Sequence, residues 1–260
     1  MMSETNTCKP PEIIVRLAET HAEREAAQKL RYQVFYEEFG AKPSPEVAKS
    51  KRDWDQYDEA AEHMVVFDTS LGSGADAIIG TYRLLDQAGA DKVGHFYTSD
   101  EYDISPLIEC GANLLELGRS CVLQPYRTRS VLKKLWQGIA DYVLDNHIEI
   151  LFGCGSFHGT DPKDYAEALS YLHHYHLAAP GLRTRSLDKH YVDMNLMPKA
   201  QLNEKQILMN LPPLIKGYLR VGAVIGDGAY VDHQFNTTDV CIIVQTHLIT
   251  DRYRSHFLEK

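Results

Sequence analysis

The chain of 260 residues carries 27 Lys and Arg against 36 Asp and Glu, a net charge of −9 at pH 7, with 44% hydrophobic and 24% charged residues. Those proportions describe an ordinary globular chain, and the acidic balance argues against nucleic-acid partners, which require a basic face to neutralise phosphates. No run approaches the roughly 18 apolar residues of a membrane span; five scattered cysteines with no C-x-x-C pair exclude a disulfide scaffold or thiolate zinc site and fit a reducing cytoplasm.

The opening MMSETNTCKPPEIIV lacks the charged and apolar regions of a signal peptide. Residues 13–20 read as a first strand. A helix follows, because Ala26, Leu30 and Val34 recur at i, i+4 and i+8 with Phe35 alongside, and Gly40 after Phe39 can close its last turn. Residues 42–61, broken by Pro43 and Pro45 and rich in acid (Asp53, Asp55, Asp58, Glu59), read as a long loop of the kind that carries function. Two apolar runs, 64–68 and 77–85, flank LGSGAD and predict a hairpin.

Residues 113–123 (NLLELGRSCVL) read as another strand. Alternation would put Glu116 and Arg119 on opposite faces; a bulge at Gly118 would return them to one side. Residues 129–147 predict a helix with Val131, Leu135, Ile139 and Tyr142 or Val143 along one stripe. A short buried strand at 148–152 and a helix at 162–176 come next. Strands alternating with helices after an antiparallel opening predict a mixed α/β sheet. One domain is expected over residues 1–260, with 198–260, including a strand at 239–246, as an extension packed on it.

The segment ELGRSCVLQPYRTRSVLKKLW holds the densest chemistry. Arg127, Arg129, Lys133 and Lys134 fall within eight positions of an acidic chain, at a predicted helix start. Free N–H groups there, with arginines nearby, suit an anion; a solvated helix face is the plain alternative. Other signals carry less. His63 and Asp68 match H-x4-D, but five residues apart on a strand they face opposite ways. Of His173, His174 and His176 only the first and last share a helix face, and no further ligands accompany them, so no metal site is expected. Ser156 lacks a G-x-S-x-G elbow, and a buried Cys121 would be inert as a nucleophile.

In their order these segments resemble the ornithine N-acyltransferases of the GNAT superfamily, which make lyso-ornithine lipid. The resemblance is carried by LRYQVFYEEFGA (30–41), RDWDQYDEAAEHMVVFD (52–68), IIGTYRLL (78–85), GHFYTSDEYD (94–103), LLELGRSCV (114–122), YRTRSVLKKLWQGIADY (126–142) and GCGSFHGTDP (153–162). It continues through LPPLIKGYLRVGA (211–223), TTDVCIIVQT (237–246) and YRSHF (253–257), and so covers almost the whole chain. A more distant similarity runs to acyl-homoserine-lactone synthases. Their first-helix arginine, paired loop aspartates, strand arginine and glutamate followed three residues later by arginine fall here on Arg31, Asp55 and Asp58, Arg83, and Glu116 with Arg119.

The resemblance implies a GNAT-like acyl-CoA N-acyltransferase fold: a twisted mixed sheet splayed into a V, with helices on both faces. Coenzyme A users in the superfamily carry a Q/R-x-x-G-x-G/A turn, whereas residues 124–129 (QPYRTR) contain no glycine. The implied donor is therefore the acyl-phosphopantetheine of acyl carrier protein, with no bound cofactor. Its single phosphodiester needs less backbone approach and more side-chain charge, and an acidic carrier would dock on the basic cluster.

The implied reaction is attack of the α-amine of L-ornithine on a 3-hydroxyacyl thioester. Glu116 is the expected proton acceptor, with Arg119 beside it. Backbone near Cys121, Val122 and Leu123 is expected to hold the oxyanion; these residues, with Arg127, Arg129, Ser130, Lys133 and Lys134, would bind the donor. Arg31, Asp55, Asp58 and Arg83 make the acceptor loop, whose aspartates either cradle the cationic amino acid or fold back onto the arginines. Phe35, Phe39 and Trp136 are expected to wall the acyl chain. A one-chain lipid product implies peripheral contact with the inner face of the cytoplasmic membrane. Open alternatives are another amino-acid acceptor, an acyl-homoserine lactone, or a non-catalytic GNAT scaffold that binds carrier or lipid.

Overall fold

Thr20 decides where the first helix starts. Its hydroxyl accepts from the Glu23 N–H at 3.2 Å while the Glu23 carboxylate reaches back to the Thr20 N–H, a capping box. The computed structural model describes residues 12–249; YRSHF lies outside the described residues. Strand β1 (Ile13–Leu17) therefore stops short of Thr20, and α1 spans His21–Tyr32. The buried stripe runs through Ala27 and Leu30 of α1 and on to Val34 beyond it, with Ala26 only partly buried. The helix then widens into a π-helical turn, Gln33–Glu38, closed by Phe39 N–H donating to Val34 O at 3.0 Å, and ends at Gly40 with φ +75°.

Residues 42–61 are not wholly a loop, because Ser44 caps a short helix, Pro45–Ser50, by accepting from the Val47 N–H. The hairpin forms from β2 (Glu62–Asp68) and β3 (Ile78–Asp86). Strand β4 (Leu114–Val122) pairs antiparallel with β3, and α2 (Arg129–Asp145) buries Val131, Leu135, Ile139 and Val143 as its spacing predicts. Strand β5 (Ile150–His158) is longer than expected, and α3 is confined to Ala166–His176 after a 3-10 turn. Four more strands of the main sheet follow: β6 (Tyr191–Val192), β7 (Val224–Ile225), β8 (Ala229–Asp232) and β9 (Thr237–Gln245).

Among the described residues the main sheet runs β1-β2-β3-β4-β5-β9-β8-β6, with β7 also paired to β9. Residues 198–249 are thus not laid against a finished sheet. Strand β9 pairs with β5 along its whole length and sits inside the sheet between β5 and β8. Alternation in β2 shows how the layers form: Met64 and Val66 pack towards α2, while Val65 and Phe67 pack towards Ala27 and Leu30 of α1. Helices thus cover both faces.

The pair β4 and β5 is parallel, and its register covers only Leu114–Glu116 against Ile150–Phe152. Beyond Glu116 the two strands part, which opens the V. At the fork Gly153 has φ +153°, and a Cβ there would stand 2.2 Å from the Leu117 carbonyl oxygen, so only glycine fits. Among the described residues no helix is long and apolar enough to cross a membrane.

Candidate active site

The fork opens on a cavity of about 610 Å³, within the range of small-molecule sites. Glu116, the last residue of β4 paired with β5, lines it and is 4% exposed. Its carboxylate accepts from the N–H groups of Tyr97 (2.9 Å) and Thr98 (2.6 Å) and from the Thr98 hydroxyl. Burial pushes Glu116 above the ordinary carboxylate value, against the pull of those hydrogen bonds.

Arg119 also faces the cavity, through a bulge displaced from the expected position. Thr81 pairs with Cys121 and Arg83 with Gly118, so two residues, 119 and 120, oppose Tyr82 alone. Arg119 rather than Gly118 takes the left-handed conformation, with φ +53°. The Arg119 guanidinium lies between the rings of Tyr97 and Phe235, 4.6 Å from each centroid. It makes ion pairs with Asp53 (3.2 Å) and Asp55 (3.1 Å), not with Glu116.

These contacts belong to a network that separates the two readings of the loop aspartates. Arg31 pairs with Asp53 at 2.8 Å and Asp58 at 2.7 Å; Arg83 pairs with Asp55 at 2.6 Å and Asp58 at 3.3 Å. Three arginines therefore balance three aspartates. Burial alone would raise Asp53, but Arg119, Arg31 and Arg83 outweigh it and hold the carboxyl below its usual value; Arg83 and Arg119 do the same for Asp55. Asp55 and Asp58 fold the loop back and do not line the cavity, so neither offers free charge to a cationic acceptor. Asp53, which sequence reasoning did not place among the site residues, is the third acid of the set.

Phe35 and Phe39 face the cavity, carried there by the π-helical turn. Trp136 does not; it packs edge-on against Tyr218 at 4.6 Å. Cys121 and Val122 line the cavity and Leu123 does not. The Leu123 N–H donates to Ile79 O at 2.9 Å, so by antiparallel alternation the Val122 N–H points away from β3 towards the open V. Burial lifts the Cys121 thiol well above its ordinary range, which removes it as a nucleophile.

The basic cluster divides. Arg127 is committed to Glu38, Nη2 to Oε2 at 2.6 Å, and lies over the Phe39 ring. Arg129 lines the cavity; exposed Ser130 and Lys133 do not, and Lys134 lies 4.0 Å from Glu12. Arg129 and Lys133 make no ion pair among the described residues. The discounted signals resolve as local structure. His63 Nε2 sits 2.9 Å from Asp58 O, Asp68 accepts from Tyr126, and His174 and His176 contact Met197 O and Tyr171 OH.

A second acidic group was missed by sequence reasoning. Glu101, Asp232 and Asp239 line the cavity, with one carboxylate oxygen from each lying within 4.8 Å of the others. Glu101 and Asp239 fall inside motifs quoted above, but residues 101, 232 and 239 share no spacing that would join them.

The sheet, its fork and the walled cavity define an acyltransferase of the GNAT type. Residues 30–137 match the acetyltransferase (GNAT) domain family. The fold is similar to FeeM, an N-acyl amino acid synthase from uncultured soil microbes, with a TM-score of 0.52 at 13% identity over 92% of this chain and 93% of that one. The L-ornithine N(alpha)-acyltransferase of Rhizobium meliloti (strain 1021) is 45% identical over 93% of this chain and 83% of its own length. That of Brucella abortus (strain 2308) is 46% identical over 94% and 88%. The chain belongs to the L-ornithine N(alpha)-acyltransferase family.

Proposed function

We propose that this chain acylates the α-amine of L-ornithine with a 3-hydroxyacyl group delivered on the phosphopantetheine of acyl carrier protein, giving lyso-ornithine lipid. The observation that carries the reading is the placement of Glu116 at the fork of the V, in the wall of a cavity that is apolar along Phe35, Phe39 and Val131 and basic at Arg129. The relatives' names supply the acceptor.

The α-ammonium, with a pKa near ~8 in model amines, gives its proton to Glu116, directly or through one water. The freed nitrogen attacks the thioester carbonyl while the Val122 N–H donates to the developing oxyanion. Collapse breaks the C–S bond as the nitrogen gives up a second proton; one of the two released protons goes to the departing thiolate and the other to solvent, leaving an amide and a free phosphopantetheine thiol. Arg119 acts from its aromatic clamp as a positioning group for the Tyr97–Thr98 turn that holds Glu116. Arg129, Ser130, Lys133 and Lys134 receive the carrier and its phosphodiester. Exposed Leu208 and Met209, just before cavity-lining Pro212 and Leu214, support peripheral membrane contact for the lipid product.

The test is purified chain with 3-hydroxyacyl carrier protein and a panel of amino acids, products read by mass spectrometry. Acyl-ornithine should dominate; equal use of glutamine or lysine, or lactone formation, would reject the acceptor assigned here.

A further inference from the structure

The cavity carries more buried acid than its proton chemistry needs. Glu101, Glu116, Asp232 and Asp239 all line it, yet none has an ion-pair partner among the described residues, because Arg83 and Arg119 are consumed by Asp53, Asp55 and Asp58. Asp239, 3% exposed, accepts from the Thr237 hydroxyl through Oδ2 and lies near the Ser156 hydroxyl, while its buried Oδ1 makes no well-aligned hydrogen bond. An unsatisfied carboxylate oxygen in a cavity wall costs free energy until a donor arrives. Resting on the proposed function, we infer that Glu101, Asp232 and Asp239 seat the side-chain ammonium of the acceptor, so that the site selects a diamino acid over neutral amino acids.

The geometry suits an ammonium. Three converging oxygens from three carboxyl groups match the three N–H donors of a primary ammonium. A hard divalent cation would want six or more oxygens, and the adjacent donor is instead the Cys154 thiol, 3.0 Å from Glu101 Oε2. The same sulfur lies 4.0 Å from the Thr98 hydroxyl, which in turn donates to Glu116. The seat is thereby separated from Glu116 by two intervening side chains. One end of a diamino acid would lie at the triad while its α-amine reaches the base.

The experiment compares L-ornithine with L-norvaline, the same carbon chain without the δ-amine, in the full-length enzyme and in Asp239→Asn and Asp232→Asn. Wild type should prefer ornithine strongly. In each variant KM for ornithine should rise on the order of 10²-fold, while kcat/KM for norvaline changes far less, so that the ornithine-to-norvaline ratio collapses. Asp232 is the less buried of the two, so its variant decides if Asp239→Asn fails to fold. An unchanged ornithine-to-norvaline ratio in folded variants overturns the inference and leaves ornithine acylation standing. A wild type that ignores ornithine overturns the proposed function itself. Activity lost to EDTA and restored by Mg²⁺ or Mn²⁺ in wild type alone would make the triad a metal site and equally overturn the inference.

Discussion

Glu116 illustrates how one buried carboxylate can be firmly held and still line a cavity. A carboxylate offers about four lone-pair sites, and Tyr97 N–H, Thr98 N–H and the Thr98 hydroxyl take three. The remaining site faces a low-dielectric cavity, where burial raises proton affinity towards that of the incoming amine. Glu116→Gln removes the proposed base and sets an amide NH₂ against donors that need an acceptor. The expected result is a kcat lower by roughly 10²–10⁴-fold, with carrier binding retained. In wild type, rate should fall on acidification through a pKa above 4.5, since protonated Glu116 cannot accept the amine's proton. Steady-state rates across pH check both, and an unchanged rate or acid limb in the variant removes Glu116 from the role. At this scale the sequence was informative where chemistry and spacing coincide, as at Glu116 and Arg119. It was silent on Asp53, because nothing in a string of loop acids says which will meet a guanidinium.

The segment between α1 and β2 is held by electrostatics rather than by regular pairing. Asp58 accepts from Arg31 and Arg83 with side chains that are 3% exposed or less, so salt screens these pairs little. Removing one partner from such a set leaves an uncompensated buried charge. Asp58→Asn should therefore lower unfolding free energy by about 3–5 kcal/mol, measured by urea denaturation, with little change between low and high salt. A loss within ~0.5 kcal/mol, the level expected on breaking the exposed Lys51–Glu37 contact, would show that the network does not anchor the loop. Periodicity made the regular elements legible, and α2 buries the stripe its spacing predicts. The π-helical turn was not legible, because its extra residue per turn leaves no mark on a pattern read at 3.6 residues. The short helix after Ser44 hid behind two prolines, although proline is well tolerated in a first helical turn. The inner position of β9 depends on a pairing with β5 across some eighty residues, beyond any local pattern.

Over the whole molecule a net charge of −9 sets a problem for any acidic partner, which must approach against the overall field. The start of α2 offers a local reversal. Arg127 is neutralised by Glu38, so the attraction falls to Arg129 and Lys133, which make no ion pair among the described residues, and to Lys134. Exposed charges act through water, and 0.15 M salt screens them beyond roughly 8 Å. If these residues steer an acidic carrier, KM for acyl carrier protein should climb as NaCl is raised from 50 to 300 mM. The double variant Arg129→Ala, Lys133→Ala should begin with a higher KM and show a flatter salt dependence. A short acyl-pantetheine thioester, lacking the carrier's acidic surface, should be used equally by both proteins. Parallel salt dependence in wild type and variant would place carrier docking on another face, whereas an equal loss with the small thioester would mean that the substitutions damage the cavity itself. Only the combined pattern, a salt-sensitive loss confined to the protein-borne donor, fits a basic helix start acting as a landing site on an acidic enzyme.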